Sequence, residues 1–284
     1  MQSYAVVVLF AASVLWGLSW LPLKYLNQQG FDGIELTLFL YLIMFGLMLP
    51  WLWAKRGQIK PHWKVLLGVA LLGGGAQLAF NTALIYGEVI RVMVLFYLVP
   101  IWGVLGGRLF LGENIDKGRW LGVGLAISGV FLIVGGMNAF LEPPSWIDGL
   151  ALLSGFLFAM NNIVFRVSQA VSIRLKITFM FLGSVILAAT ILLFQAEPPV
   201  FNVSASAWGM LFLYGAVWMM FANFGTQWAV THLEVGRSSI ILIMELVTAI
   251  VSASLILGET MLPIEMLGGG LILIAAFIEA RRSS

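Results

Sequence analysis

Cysteine is absent from the sequence, which excludes a disulfide frame, a thiolate metal site and a cysteine nucleophile. Charge is almost as scarce, since Asp, Glu, Lys and Arg together make up 10% of 284 residues. Histidine is limited to His62 and His232, far apart and near the ends of apolar runs, with no His-Glu-x-x-His pattern. No Gly-x-Ser-x-Gly elbow accompanies the serines. The run Gly73-Gly74-Gly75 lacks the Lys-Ser/Thr ending of a phosphate loop, so it reads as packing or flexibility. These absences argue against an enzyme, and no cofactor is expected. The lack of a filter sequence or a ring of like charges argues against a channel. No basic patch interleaved with aromatics suggests nucleic acid.

What is present is apolar: 61% of residues are hydrophobic and the mean hydropathy is +1.01, more than a water-soluble domain carries. A bilayer core needs roughly 20 apolar residues per helix. Ten such runs fall near residues 4–26, 34–53, 63–86, 89–111, 118–137, 147–168, 174–195, 207–230, 236–257 and 263–280. The first lacks a basic leader and a small-residue cleavage site, so a retained helix is expected and no signal peptide. Of the 15 Lys and Arg residues, all but Lys24 and Arg91 fall at ends that face the cytoplasm if the N-terminus lies inside. The net charge of +2 therefore describes topology, with both termini cytoplasmic. The loops near Asn138–Ser145 and Glu197–Ser206 carry neither Lys nor Arg and are expected outside.

The chain repeats itself. Glu88-Val89-x-Arg91 recurs as Glu234-Val235-x-Arg237, a spacing of 237 − 91 = 146 residues. The same spacing pairs Leu111-Gly112-Glu113 with Leu257-Gly258-Glu259, and Leu121-Gly122-x-Gly124-Leu125 with Leu267-Gly268-x-Gly270-Leu271. The fold expected is an all-α integral membrane protein of ten transmembrane helices, arranged as two five-helix repeats over 1–137 and 138–284. An odd number of spans per repeat inverts one half relative to the other, a plan recurrent among secondary transporters.

Polar residues inside the spans mark candidate substrate contacts. Gln77 and Asn81 share one face of helix three at i, i+4, and the repeat places Asn223 and Gln227 on the equivalent face of helix eight. Amides in hydrocarbon need partners, so they line a cavity or bond helix to helix. Trp16 and Trp20 in helix one correspond to Asn162 and Arg166 in helix six, with Asn161 alongside. Trp16 reads as a cavity wall near mid-depth, and Trp20 as packing or cavity. Helix four offers Tyr97 and Pro100, and helix nine offers Glu245 beside Leu246, the equivalent of Pro100. Helix four is therefore expected to kink where helix nine does not. Glu245 is paired, proton-carrying or in contact with a cationic substrate group, unless it is structural and bonded to a hydroxyl such as that of Thr248.

Glu113 and Glu259 are expected to satisfy the free N–H groups of helices five and ten. Glu88 with Arg91, and Glu234 with Arg237, fit local i, i+3 pairs or gate latches at opposite faces. Gly103-x-x-x-Gly107, Gly118-x-x-x-Gly122 and the run Gly268-Gly269-Gly270 allow close helix approaches.

Trp16-Gly17, Pro100 followed by Leu111-Gly112-Glu113, and Leu257-Gly258-Glu259 before a glycine-rich last helix together resemble the EamA family of the drug/metabolite transporter superfamily. Leu246 departs from the Glu-Pro pair common there. The segment Phe96-Tyr97-Leu98-Val99-Pro100 is similar to one in YddG-type aromatic amino acid exporters of that family. The resemblance implies an inner-membrane secondary carrier, often an exporter, with a cavity lined by helices one, three, four, six, eight and nine. The expected partners are a small-molecule substrate, amino acids first, the lipid bilayer, protons as candidate coupling ion, and a second copy as candidate homodimer. The alternatives are a carrier of nucleosides or amphipathic cations, or an uncoupled facilitator.

Overall fold

The computed structural model describes residues 2–112, 117–133, 145–194, 203–230, 232–233 and 235–282. The expectations for Glu113, Glu234 and most of the two Lys- and Arg-free loops lie outside the described residues. The described residues form helices and no strand. Seven helical stretches are long and apolar enough to cross a bilayer: Ser3–Gln28, Gly33–Ala54, Arg56–Tyr86, Val89–Leu111, Trp146–Val167, Ile173–Phe194 and Ala205–Ala229. Shorter apolar helices run over Trp120–Ile133, Ile241–Leu257 and Pro263–Ala275. The protein is thus an all-α, multi-pass membrane protein.

The first apolar stretch is two helices, α1 (Gln2–Gly17) and α2 (Trp20–Gln28). Pro22 has no N–H, so the Leu18 carbonyl four residues earlier loses its helical donor. The backbone tightens instead, with Leu21 N–H donating to Leu18 O at 3.0 Å and Ser19 N–H to Trp16 O at 3.1 Å. Helix α3 (Gly33–Ala54) begins at Asp32, whose carboxylate accepts from Ile34 N–H. After two 3₁₀ turns comes α4 (Trp63–Tyr86), the most deeply buried helix.

The fourth stretch also breaks, into α5 (Val89–Phe96) and α6 (Val99–Leu111), because Pro100 in the first turn of α6 cannot donate to Phe96 O. Helices α7 (Lys117–Ile133), α8 (Trp146–Val167) and α9 (Ile173–Phe194) follow, and Ser145 with Asp148 forms a reciprocal capping box at the start of α8. Between α10 (Ala205–Leu213) and α11 (Met220–Val230) the chain winds as a π-helix over Tyr214–Met219. Helices α12 (Val235–Leu257) and α13 (Pro263–Arg282) complete the chain. Helix α12 runs unbroken through Leu246, as the contrast with Pro100 predicts.

Glycine decides two features. Gly112 and Gly258 both adopt left-handed backbone, φ +69° and +67°, ending α6 and α12 as only glycine does cheaply. This accounts for the glycine of the repeated Leu-Gly-Glu. Elsewhere missing side chains admit backbone: a Cβ on Gly183 of α9 would lie 1.9 Å from Ala70 O of α4, and one on Gly74 would lie 2.5 Å from Gly183 C. The glycine run of α4 is therefore a packing surface. Gly103, by contrast, faces nothing within 4 Å.

Candidate functional site

Helix α12 carries Glu245, Thr248 and Ser252 at spacings that put them along one face. Helix α1 crosses that face at Gly17, where a Cβ would lie 2.4 Å from Glu245 O and 2.8 Å from Thr248 Cβ. One turn on, the buried Trp20 donates its indole N–H to Ser252 Oγ at 3.1 Å. From the break between α5 and α6, the Tyr97 hydroxyl donates to Leu242 O at 2.9 Å and stands within hydrogen-bonding reach of the Glu245 carboxylate. The half-buried Glu245 thus sits where α12 meets the junctions of two interrupted helices, with half-buried Trp16 beside Gly17.

A second polar group lies between α3, α4 and α8. The Tyr41 hydroxyl donates to Gln77 Oε1, both residues being buried. Asn81, one turn along α4, is 2% exposed and its Nδ2 has no partner among the described residues. Buried Asn161 Oδ1 also lacks one, and it lies 2.9 Å from where a Gly73 Cβ would stand. Asn162, its neighbour, is exposed. In the other half, Asn223 is buried and donates to Met219 O of its own helix at 2.9 Å, while Gln227 is half-buried. The structure therefore brings Trp16, Trp20, Tyr97 and Glu245 around one crossing and gathers Gln77 and Asn81 with Tyr41. Asn162, Asn223 and Gln227 are bonded to neither group by the contacts described above.

Sequence reasoning missed Tyr41, Ser252, Tyr214 and Trp218. Ser252 was discoverable, since it lies seven residues, two turns, beyond Glu245. Tyr214 and Trp218 belong to the π-helix, and both reach the α1–α2 junction: Tyr214 OH donates to Ser19 O at 3.2 Å and Trp218 Nε1 to Leu15 O at 3.0 Å. Thr248, offered as a structural partner of Glu245, has its Cβ against Gly17.

The carboxylates and Arg91 at the α4–α5 end form a third group. Arg91 binds Asp148 bidentately, Nε to Oδ1 at 2.7 Å and Nη2 to Oδ2 at 2.9 Å, and reaches Glu265 at 3.2 Å. Its hydrogen bonds are therefore long-range, in place of the local Glu88 pair. Glu259 caps a helix, as expected of it, but a different one: its two oxygens accept from Val89 and Ile90 N–H at 3.0 Å, at the start of α5, the fourth span. Glu265 Oε2 accepts from Leu262 N–H and so serves the start of α13. Lys24 closes the far end of α4 by donating to Gly87 O at 2.7 Å.

The sequence pattern of the EamA-like transporter family matches residues 3–135 and again residues 145–279. The chain belongs to the EamA-like transporter family. A probable terminal-alkyne amino-acid exporter of Streptantibioticus cattleyicolor is 26% identical over 293 residues, 99% of this chain and 95% of that one. An uncharacterized transporter of Archaeoglobus fulgidus is 27% identical over 174 residues, and the match spans 58% of each chain. A protein of known crystal structure superposes with a TM-score of 0.63 at 18% identity, over 99% of both chains, and so shares the fold.

Proposed function

We propose that this EamA-like protein is a secondary carrier, an exporter of amino acids including aromatic ones, working by alternating access between two inverted five-helix halves, 1–137 and 138–284. In this reading its ten spans lie in the inner (plasma) membrane with both termini cytoplasmic, which places the Arg91 end outside. The pairing of Tyr97 with Glu245 at the crossing of α1 and α12 carries the proposal. A carboxylate held at mid-membrane that takes a hydroxyl as partner has acceptor capacity left for a substrate ammonium or a proton. Trp16 and Trp20 supply flat apolar surface suited to an amphipathic zwitterion. Clustered Arg and Lys, which a multiply charged phosphate would need, are missing from this crossing among the described residues.

Two further observations support it. A Cβ on Gly129 of α7 would lie 2.5 Å from Gly268 O of α13, and one on Gly122 would lie 3.8 Å from Ala275 O. Adding 146 converts the first member of each pair into a partner from the other (122 + 146 = 268; 129 + 146 = 275), as two-fold related halves require. The full-length relative, moreover, is named for amino-acid export.

The test is counterflow of labelled tryptophan in proteoliposomes, competed by neutral amino acids, nucleosides and sugar phosphates. Suppression by aromatic amino acids is expected, and Glu245→Gln should abolish exchange or its pH dependence. A lack of tryptophan exchange overturns the substrate assignment. A Glu245→Gln protein with full exchange and unchanged pH dependence overturns the role of the carboxylate.

A further inference from the structure

We infer that Arg91, clasped by Asp148 and Glu265, is a latch that holds the outer face shut, and that the repeat provides no matching acids at the cytoplasmic face, so the empty carrier rests open to the cytoplasm. This rests on the proposed alternation of two halves. The latch crosses between them, since Arg91 belongs to the first half and both acids to the second. Its geometry is stronger than that of a surface ion pair: the contact to Asp148 is bidentate, and the side chains of Arg91, Asp148 and Glu265 are only 28%, 3% and 17% exposed. Glu259 reinforces the same crossing by reaching from the second half to cap α5.

The repeat shows what the other face lacks. At the 146-residue spacing Arg91 answers to Arg237, but Glu265 answers to Arg119 and Asp148 to Gln2 (265 − 146 = 119; 148 − 146 = 2). The cation is duplicated and neither acid is. The apolar contacts agree. One core cluster takes in Leu26, Ile85, Ile133 and Leu211 at the Arg91 end and extends as far as Val69 and Ile177 towards the other. Towards the opposite end, the described residues gather in three separate groups, typified by Val104 with Val123, Leu9 with Ala229, and Leu66 with Leu175.

A chain without cysteine lends itself to single-thiol labelling. Val94, one turn beyond Arg91 on α5, is buried, with Cγ1 3.8 Å from where a Gly269 Cβ of α13 would stand. In intact cells a Val94→Cys protein should react slowly with a membrane-impermeant maleimide. Adding Arg91→Gln should raise that rate about tenfold or more, as expected when a strongly biased two-state equilibrium loses its bias. Glu265→Gln, which leaves the Asp148 contact in place and so guards against misfolding, should raise it less. Arg119→Glu, restoring an acid opposite Arg237 in the repeat register, should also raise it. Fast labelling with the latch intact, or no change in the Arg91 and Glu265 variants, overturns the latch. An unchanged rate in Arg119→Glu overturns the asymmetry. Labelling needs no substrate, so failed tryptophan exchange with latch-dependent labelling sinks the substrate reading alone, and normal exchange with latch-independent labelling sinks the latch alone.

Discussion

Replacing Gly17 by alanine tests whether the crossing of α1 over α12 sets the geometry at Glu245. The new methyl would lie 2.4 Å from Glu245 O, 2.8 Å from Thr248 Cβ and 3.2 Å from Ala249 N. Two of these three neighbours are backbone atoms of a regular helix, so no flexible side chain can yield. Relief requires α1 to back away by about 1 Å, and overpacking of that kind costs about 1–3 kcal/mol. Because Trp16 precedes Gly17 and Trp20 donates to Ser252, the displacement acts on the site itself. If the strain is borne by the binding-competent state, exchange of labelled tryptophan at sub-saturating concentration should fall about 5- to 150-fold. Gly46→Ala is the control, since nothing lies within 4 Å of a Cβ there. Wild-type exchange and wild-type melting in detergent for Gly17→Ala would refute the reasoning, because the crossing would then have room the structure does not show.

Gly183→Ala should be more damaging to stability, since its Cβ would meet Ala70 O at 1.9 Å; a melting temperature in detergent equal to that of Gly46→Ala would contradict the α4–α9 packing. Glu259→Ala removes both acceptors from the first N–H groups of α5 and should cost about 1 kcal/mol, read as a lower melting point. Glu259→Gln, which keeps one acceptor oxygen, should recover part of that loss.

The parts of the fold legible in the sequence were those fixed by backbone chemistry. Pro100 against Leu246 foretold a broken helix in one half and an intact one in the other, because a missing N–H acts locally. The repeated Leu-Gly-Glu foretold equivalent helix ends, although the two glutamates were assigned to the following helix and Glu259 serves α5, 169 and 170 residues away. Arg91 shows why such long-range partners escape a reading by spacing. Glu88 stands at i − 3, yet a carboxylate that accepts two parallel N–H bonds from the guanidinium outcompetes it from 57 residues away. The π-helix was invisible for a related reason. Tyr-Gly-Ala-Val-Trp-Met contains no proline, and what accompanies the wide turn is the docking of Tyr214 and Trp218 on carbonyls of another helix.

The three irregular stretches share a property that bears on mechanism. The α1–α2 junction at Leu18, the α5–α6 junction at Tyr97 and the π-helix from Tyr214 correspond in the repeat to Val164, Ile243 and Gly68, all inside regular helix (18 + 146 = 164; 97 + 146 = 243; 214 − 146 = 68). Each irregularity therefore occurs in one half only. Irregular backbone at membrane depth is tolerated where protein or a cavity satisfies it, and here the satisfying contacts form a line. Trp218 holds Leu15 O, Gly17 rests on Glu245 O, and Tyr97 reaches both Leu242 O and the Glu245 carboxylate. A line of contacts through one crossing predicts energetic coupling between its ends. Tyr97→Phe removes one hydrogen bond while keeping the ring, and Trp218→Phe removes one together with the pyrrole half of the indole, so each should cost about 1 kcal/mol or more in the exchange-competent state. Combined, they should depart from additivity by at least about 0.5 kcal/mol in tryptophan exchange. Additivity within that limit would mean that the two junctions act independently, and that the crossing at Gly17 does not connect them.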